Sequence, residues 1–234
     1  MRHDNRRDDE LRPVAVEWDF QPRADGSLLI KIGDTHVVCA VTVEEKVPPF
    51  LKETGRGWIT AEYGMLPCSA SSRMSREAVR GQGGRTCEIQ RLIGRSLRMM
   101  VDLARLGERT LRVDCDVIRA DGGTRTAAIT GAALAVARVI GNLQQQGKIG
   151  PLEVMPLAAV SVGLVDGHPR LDLDYEEDSR AEADANFVMS GDGRFIEIQC
   201  TAEKRPLTRE EFDLMSELAW RGIEALLAAG RRNS

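Results

Sequence analysis

Histidine is scarce in this chain, three among 234 residues. His3 lies near the terminus, His36 in an early strand-like segment and His168 beside a hairpin turn, so a two-histidine acid–base mechanism has no obvious pair. The five cysteines (Cys39, Cys68, Cys87, Cys115, Cys200) are odd in number, widely spaced and without a CxxC. That pattern excludes a disulfide frame and a zinc site and fits reduced thiols, small core fillers more often than reactive groups. No stretch approaches 18 consecutive apolar residues and residues 1–10 carry no apolar signal core, so the expected compartment is the cytoplasm, with no membrane partner. There is no GxxxxGK[ST], which weighs against a phosphate-loop ATPase. A net charge of −4 also lacks the cationic excess of a generic polyanion binder.

What is present is sharply distributed. Residues 73–98 carry seven arginines (Arg73, Arg76, Arg80, Arg85, Arg91, Arg95, Arg98) against Glu77 and Glu88. Residues 172–184 carry seven carboxylates against the single Arg180. At 42% hydrophobic, the chain can bury a substantial core, in one large domain or two small fused lobes.

Turn signals divide both halves in the same way. Strand-like segments at 14–20, 27–32, 36–43 and 58–65 precede an irregular loop at 69–82 and a helical pattern at 85–106. In that helix Ile89, Leu92, Ile93, Met100, Leu103 and Ala104 share one face, and Arg91, Arg95 and Arg98 the opposite one. The second half reads as strands at 157–165, 170–175, 186–189 and 195–201, then a helix from Thr208, whose Thr208-Arg209-Glu210-Glu211 fits a capping box. Each half runs strands then helix, without a close residue-level repeat. We expect one α+β domain over residues 1–234, with residues 1–10 and 230–234 mobile.

The most informative run is Ala120-Asp121-Gly122-Gly123-Thr124-Arg125-Thr126, between a strand at 111–119 and a small-residue, nearly all-apolar helix at 127–143. Unpaired amides at such a helix start, glycines that let an oxyanion approach and the planar donor fork of Arg125 make a phosphate seat. Combined with the acidic segment, it suggests metal-assisted phosphoryl transfer. Taken alone, the glycine run is an ordinary capped turn and the acidic run a solvated loop, the reading kept for Glu177 and Glu182. Arg91, Arg95 and Arg98 suit a solvated face or a subunit interface as well as contact with a polyanion, and we expect at least one at an interface.

Four ordered stretches resemble the ribonuclease PH family. They are Gly57-Trp58-Ile59-Thr60-Ala61-Glu62-Tyr63-Gly64-Met65-Leu66-Pro67; Gly83-Gly84-Arg85-Thr86 running into Glu88-Ile89-Gln90-Arg91-Leu92-Ile93-Gly94-Arg95; Asp114-Cys115-Asp116-Val117 leading to the glycine run; and Asp172-Leu173-Asp174-Tyr175-Glu176-Glu177-Asp178-Ser179 with Asp184 and Asn186. The resemblance implies an α+β, ribosomal protein S5 domain 2-like fold of two β-then-α lobes, assembled as a homo-hexamer, a trimer of dimers. It implies a phosphate-dependent 3′ to 5′ exoribonuclease that trims tRNA precursors and releases nucleoside diphosphates reversibly. By motif, Arg85, Gly123, Thr124 and Arg125 are the implied phosphate ligands, Asp178 and Asp184 the catalytic, magnesium-holding carboxylates, and Arg73, Arg76 and Arg91 the RNA contacts. One departure bears on RNA affinity: Leu66-Pro67-Cys68 stands where the family usually reads Leu-Pro-Arg.

Phosphorolysis suits a chain poor in histidine, because inorganic phosphate is already an anion at neutral pH. Bringing it to a phosphodiester then requires positioning and charge compensation from arginines, helix amides and magnesium. Two other outcomes stay open on the residues alone. One is an inert RNA-binding ring subunit, marked by loss of the four key side chains, all retained here. The other is a hydrolytic metal nuclease, separable because it releases monophosphates.

Overall fold

The computed structural model of the chain describes residues 2–232. Its first sheet follows from period-2 patterning. In β3 (Thr35–Glu44) and β5 (Thr110–Arg119) the odd-numbered residues from 35 to 41 and from 111 to 117 are buried, and most of their neighbours are half-buried or exposed. These strands join β1 (Val14–Trp18), β2 (Gly26–Ile32) and β4 (Trp58–Met65) in the order β1-β2-β3-β5-β4, antiparallel except for the parallel β4–β5 pair. The second sheet, antiparallel throughout, has the order β7 (His168–Leu171), β6 (Leu157–Val165), β8 (Ala183–Ser190), β9 (Phe195–Ala202).

The described residues also form six α-helices: α1 (Glu77–Arg80), α2 (Gly84–Arg98), α3 (Leu103–Leu106), α4 (Thr124–Gln145), α5 (Tyr175–Asp178) and α6 (Arg209–Arg232). Between the sheets lies α4, against β2, β3 and β5 of one and β6 of the other. Its small residues permit this: a Cβ added to Gly131 would lie 2.7 Å from Cys39 Sγ and 2.8 Å from Ile30 Cγ2. Cys39 and Cys115 sit opposite each other in the β3–β5 register, both buried beneath α4, whereas Cys68, Cys87 and Cys200 are exposed. By length and apolarity α4 could span a bilayer, yet 72% of its apolar window is buried inside the protein. All nine residues of β6 are buried because α4 and α6 both pack on it. One apolar core runs continuously through both sheets.

Two expectations about the helices need correction. The pattern at 85–106 is two helices, because the chain leaves the helix at Met99 and Asp102 starts a new turn by accepting from the Ala104 amide at 3.0 Å. Residues 230–232, expected to be frayed, belong to α6, with Gly230 buried against Leu134 of α4. Residues 233 and 234 lie outside the described residues, as does Met1.

The amino terminus departs furthest from expectation. Residues 2–12, expected to be mobile up to residue 10, are clamped to the second half of the chain by buried arginines. Arg2 donates through Nε and Nη2 to the two oxygens of Glu177 at 2.8 and 2.5 Å, both side chains being 0% exposed. Arg12 donates through Nε and Nη2 to the two oxygens of Asp172 at 3.0 and 2.7 Å. Burial alone would raise the Asp172 pKa; the charge and hydrogen bonds of Arg12, with the charge of Arg6, bring it below the usual value. This contribution is present above the ordinary aspartate pKa and is lost as pH falls through the lowered one. Removing one partner of a buried pair strands a charge, at a cost of roughly 3–5 kcal/mol. Arg2→Met leaves the buried Glu177 with the longer contacts to Arg170 and Arg6, 3.5 and 3.7 Å, and is expected to lower Tm by roughly 6 °C, corresponding to the low end of that range, in thermal denaturation. A shift within experimental error would show that the clasp contributes nothing to stability.

Candidate active site

The strand–turn–helix at β5–α4 builds the first half of the site. Gly122 and Gly123 have φ of 71° and 62°, left-handed values that glycine adopts without steric cost. Gly123 is the N-cap of α4 and carries no side chain to cap it, so the first amides of a 22-residue helix remain available to an anion. Thr124 opens the helix with its hydroxyl accepting from the buried Tyr63 hydroxyl at 2.9 Å. Arg125 follows, its Nη1 donating to Gln199 Oε1 at 3.0 Å and lying 3.6 Å from Glu88 Oε1. Gln199 Nε2 in turn donates to Glu88 at 3.1 Å, closing a triangle that fixes the Arg125 fork between α2 and β9.

The second half is carried by α5 and β8. Asp174 caps α5 by accepting from the Glu177 amide at 3.0 Å, which places Asp178 at the end of that single turn. Asp184 lies in β8 opposite Thr201 of β9, and Asn186 opposite Gln199, so Asp184, Asn186 and Gln199 share one face of the sheet. The turn-then-strand arrangement expected for two aspartates six residues apart is the one found.

Structure sorts the seven carboxylates. Asp172 is tied to Arg12, and Glu177 to Arg2. Asp174 lies 3.2 Å from His3 Nε2 and 3.6 Å from Arg6 Nη2. Glu176 pairs with Arg180 at 3.1 Å and Glu182 with Arg205 at 2.9 Å. Among the described residues, Asp178 and Asp184 have no ion-pair partner. The solvated-loop reading of Glu177 was wrong, since its side chain is fully buried.

Electrostatics join the two halves. Burial raises the Asp178 pKa; Arg85 and Arg125 pull it down, while Glu203 and Asp174 push it up. Asp184 is also raised, by burial, then by Asp178 and Glu203, with Arg125 opposing. Arg85 and Arg125 therefore both act on Asp178, and Arg125 and Asp178 on Asp184. Arg85 is exposed in the first turn of α2, whose start is tied down by Glu77 Oε1, which accepts from Thr86 Oγ1 at 2.6 Å and the Gly83 amide at 3.3 Å.

The other arginines are not gathered there. Arg73 and Arg76 are exposed on the loop before α2, and Arg91 is exposed on α2. The basic stripe is partly spent within the chain: Arg95 is neutralised by Glu197, and Arg98 donates to the Ile59 carbonyl at 3.0 Å and stacks 4.4 Å from the Trp58 ring centroid. Residue patterning missed Tyr63, Glu88, Gln199 and Glu203. The first two stood within quoted stretches, but nothing in their spacing told of contact with residues up to 111 positions away.

Comparison with known proteins identifies the family. The description "3′ exoribonuclease family, domain 1" matches residues 10–139 and "3′ exoribonuclease family, domain 2" matches residues 155–222. Ribonuclease PH of Moorella thermoacetica is 58% identical over 221 residues, covering 94% of this chain and 88% of that protein. Ribonuclease PH of Roseobacter denitrificans is 52% identical over 232 residues, covering 98% of each. Among solved structures, rice (Oryza sativa) Rrp46 superposes with a TM-score of 0.75 at 22% identity, covering 99% of this chain and 96% of that one. An Archaeoglobus fulgidus exosome with RNA bound to the active site gives 0.74 at 22%, covering 99% and 90%. The α+β fold expected from the resemblance is the fold found, with two sheets. With both halves of one family matched in order, and relatives more than half identical along nearly the whole chain, this protein belongs to the 3′ exoribonuclease family.

Proposed function

We propose that this chain is a phosphorolytic 3′ to 5′ exoribonuclease, a nucleotidyltransferase that passes the terminal nucleotide of RNA to inorganic phosphate. The observation that carries the reading is the meeting of an uncapped, glycine-opened helix and two arginines with two unpaired aspartates. Phosphate is received by the amides at Gly123 and Thr124 and by the forks of Arg85 and Arg125. One of its oxygens bonds to the scissile phosphorus, the bond to the 3′ oxygen breaks, and that oxygen takes the proton that the attacking hydrogen phosphate gives up. The products are RNA shorter by one nucleotide and a nucleoside diphosphate. The arginines hold two anions together, and the Gln199–Glu88 pair keeps Arg125 from turning away.

Asp178 and Asp184 fit a magnesium ion: Asp178 raises the cost of ionising Asp184, and a bound cation would offset that cost. Among the described residues no three His, Cys, Asp or Glu side chains cluster to hold a metal, so such an ion would draw further ligands from water and phosphate oxygens. When bound, it would supply positive charge to the developing phosphoryl and leaving-group oxygens. Arg73, Arg76 and Arg91 remain the RNA contacts in this reading. tRNA precursors, with rRNA as a second class, are the proposed substrates, the cytoplasm the compartment, and a homo-hexameric ring the assembly. The ring is checked by light scattering at six times the 25.8 kDa protomer mass. Retention of Arg85, Arg125, Asp178 and Asp184 argues against an inert ring subunit.

Product analysis tests the reaction. RNA with a single-stranded 3′ tail, incubated with magnesium, should release diphosphates only when phosphate is added; monophosphates without phosphate would mean hydrolysis. The pH profile gives a second check. Because both aspartates hold protons to higher pH than ordinary carboxylates and magnesium must displace those protons, the magnesium concentration needed for half-maximal rate should rise as pH is lowered toward the carboxylate range. A magnesium requirement independent of pH would remove the two aspartates from the metal site.

A further inference from the structure

The anion-binding loop, residues 121–123, and the carboxylate segment, residues 172–178, come from different halves of the chain. A reaction between groups they hold needs a fixed distance. Contact between them leaves little slack, since a Cβ on Gly122 would lie 2.6 Å from the Leu173 carbonyl oxygen. Arg12 ties the two segments to each other, and Thr35 ties the loop to β3. Arg12 grips Asp172 through Nε, Nη2 and its own backbone amide, at 3.0, 2.7 and 2.8 Å, and donates through Nη1 to the Asp121 carbonyl. Thr35 Oγ1 donates to the Gly122 carbonyl at 2.6 Å and accepts from the Asp121 amide at 2.9 Å.

Both are buried, Arg12 at 5% and Thr35 at 0% exposure. A buried ion pair is a poor device for stability alone, because apolar side chains of similar volume stabilise as well or better. What a planar fork spanning two segments adds is a set separation and orientation.

We propose that Arg12 and Thr35 are positioning residues, which hold the anion-binding loop at a fixed setting relative to the Asp178 segment. They act through the Asp121 and Gly122 carbonyls, so loosening either strap lets the loop amides diverge and weakens the hold on phosphate. The grip on RNA, assigned to other arginines, is untouched. The inference rests on the phosphorolytic reading.

The test uses full-length Arg12→Lys, which keeps a charge and loses the fork, and Thr35→Val, which keeps the shape and loses the hydroxyl. Phosphate KM should rise on the order of tenfold or more in Arg12→Lys and several-fold in Thr35→Val, with RNA KM unchanged. The rise in Tm that phosphate gives the parent should shrink in parallel, a readout independent of turnover. If Arg12→Lys fails to fold, Thr35→Val decides alone. Folded variants with parental phosphate KM, or with reduced kcat and unchanged phosphate KM, would overturn the proposal. A parent that releases monophosphates without phosphate would instead overturn the phosphorolytic reading itself.

Discussion

Asp184→Asn is expected to remove nearly all phosphorolysis while leaving the protein as stable as the parent or more so. The two effects share one cause. Asp184 is held near Asp178 and Glu203 in a partly buried position, which raises its pKa in the folded chain. A raised carboxylate pKa favours the folded state at pH below the unfolded value, and that advantage is gone once pH exceeds the folded value. At neutral pH the ionised group is thus a burden on the fold, and a neutral isostere relieves it. Loss of preorganised charge at a reacting centre costs about 10²- to 10³-fold in kcat. Steady-state release of diphosphates at saturating magnesium, paired with thermal denaturation, checks both. Parental turnover would end the assignment of Asp184 to the metal and the chemistry; a large drop in Tm would mean that its role is structural.

Arg125→Ala should act on the other substrate. Its fork is oriented by Gln199 and Glu88, at the start of a helix whose amides face the same space. A hydrogen bond to a charged group contributes about 1.5–3 kcal/mol, so phosphate KM should rise roughly 10- to 150-fold, with a much smaller change in RNA KM. Arg125→Lys should recover part of the loss at most, because an ammonium cannot reproduce two parallel donors. A phosphate KM unchanged in Arg125→Ala would move the nucleophile's site away from the start of α4.

The β5–α4 junction was legible in the sequence because its physics is local. Alternation fixed the strand, consecutive glycines marked the left-handed backbone, and small residues marked a helix packed closely on both sides. Asp178 and Asp184 could be singled out only by resemblance, since five acids surround them in the same short run. The fold separates them by distant partners: Arg2 reaches Glu177 across 175 positions and Arg12 reaches Asp172 across 160. Nothing local in Arg2, Arg6 or Arg12 distinguishes a buried clasp from a solvated terminus. The same limit hid Glu88 and Gln199, which read as solvent-facing polar residues until α2 and β9 are brought together. Helical spacing gave the face of Arg95 and Arg98 correctly, but it could not show that Glu197 and Trp58 lie against them within the chain.

The fate of the phosphate tests the central claim most directly. The protein would be incubated with magnesium, RNA bearing a short single-stranded 3′ tail and radiolabelled inorganic phosphate, and the released nucleotides separated. Label in the β position of nucleoside diphosphates, with the α-phosphate unlabelled, is the predicted result, because the added phosphate becomes the outer group. Unlabelled monophosphates, released equally well without phosphate, would contradict it and make this chain a hydrolase.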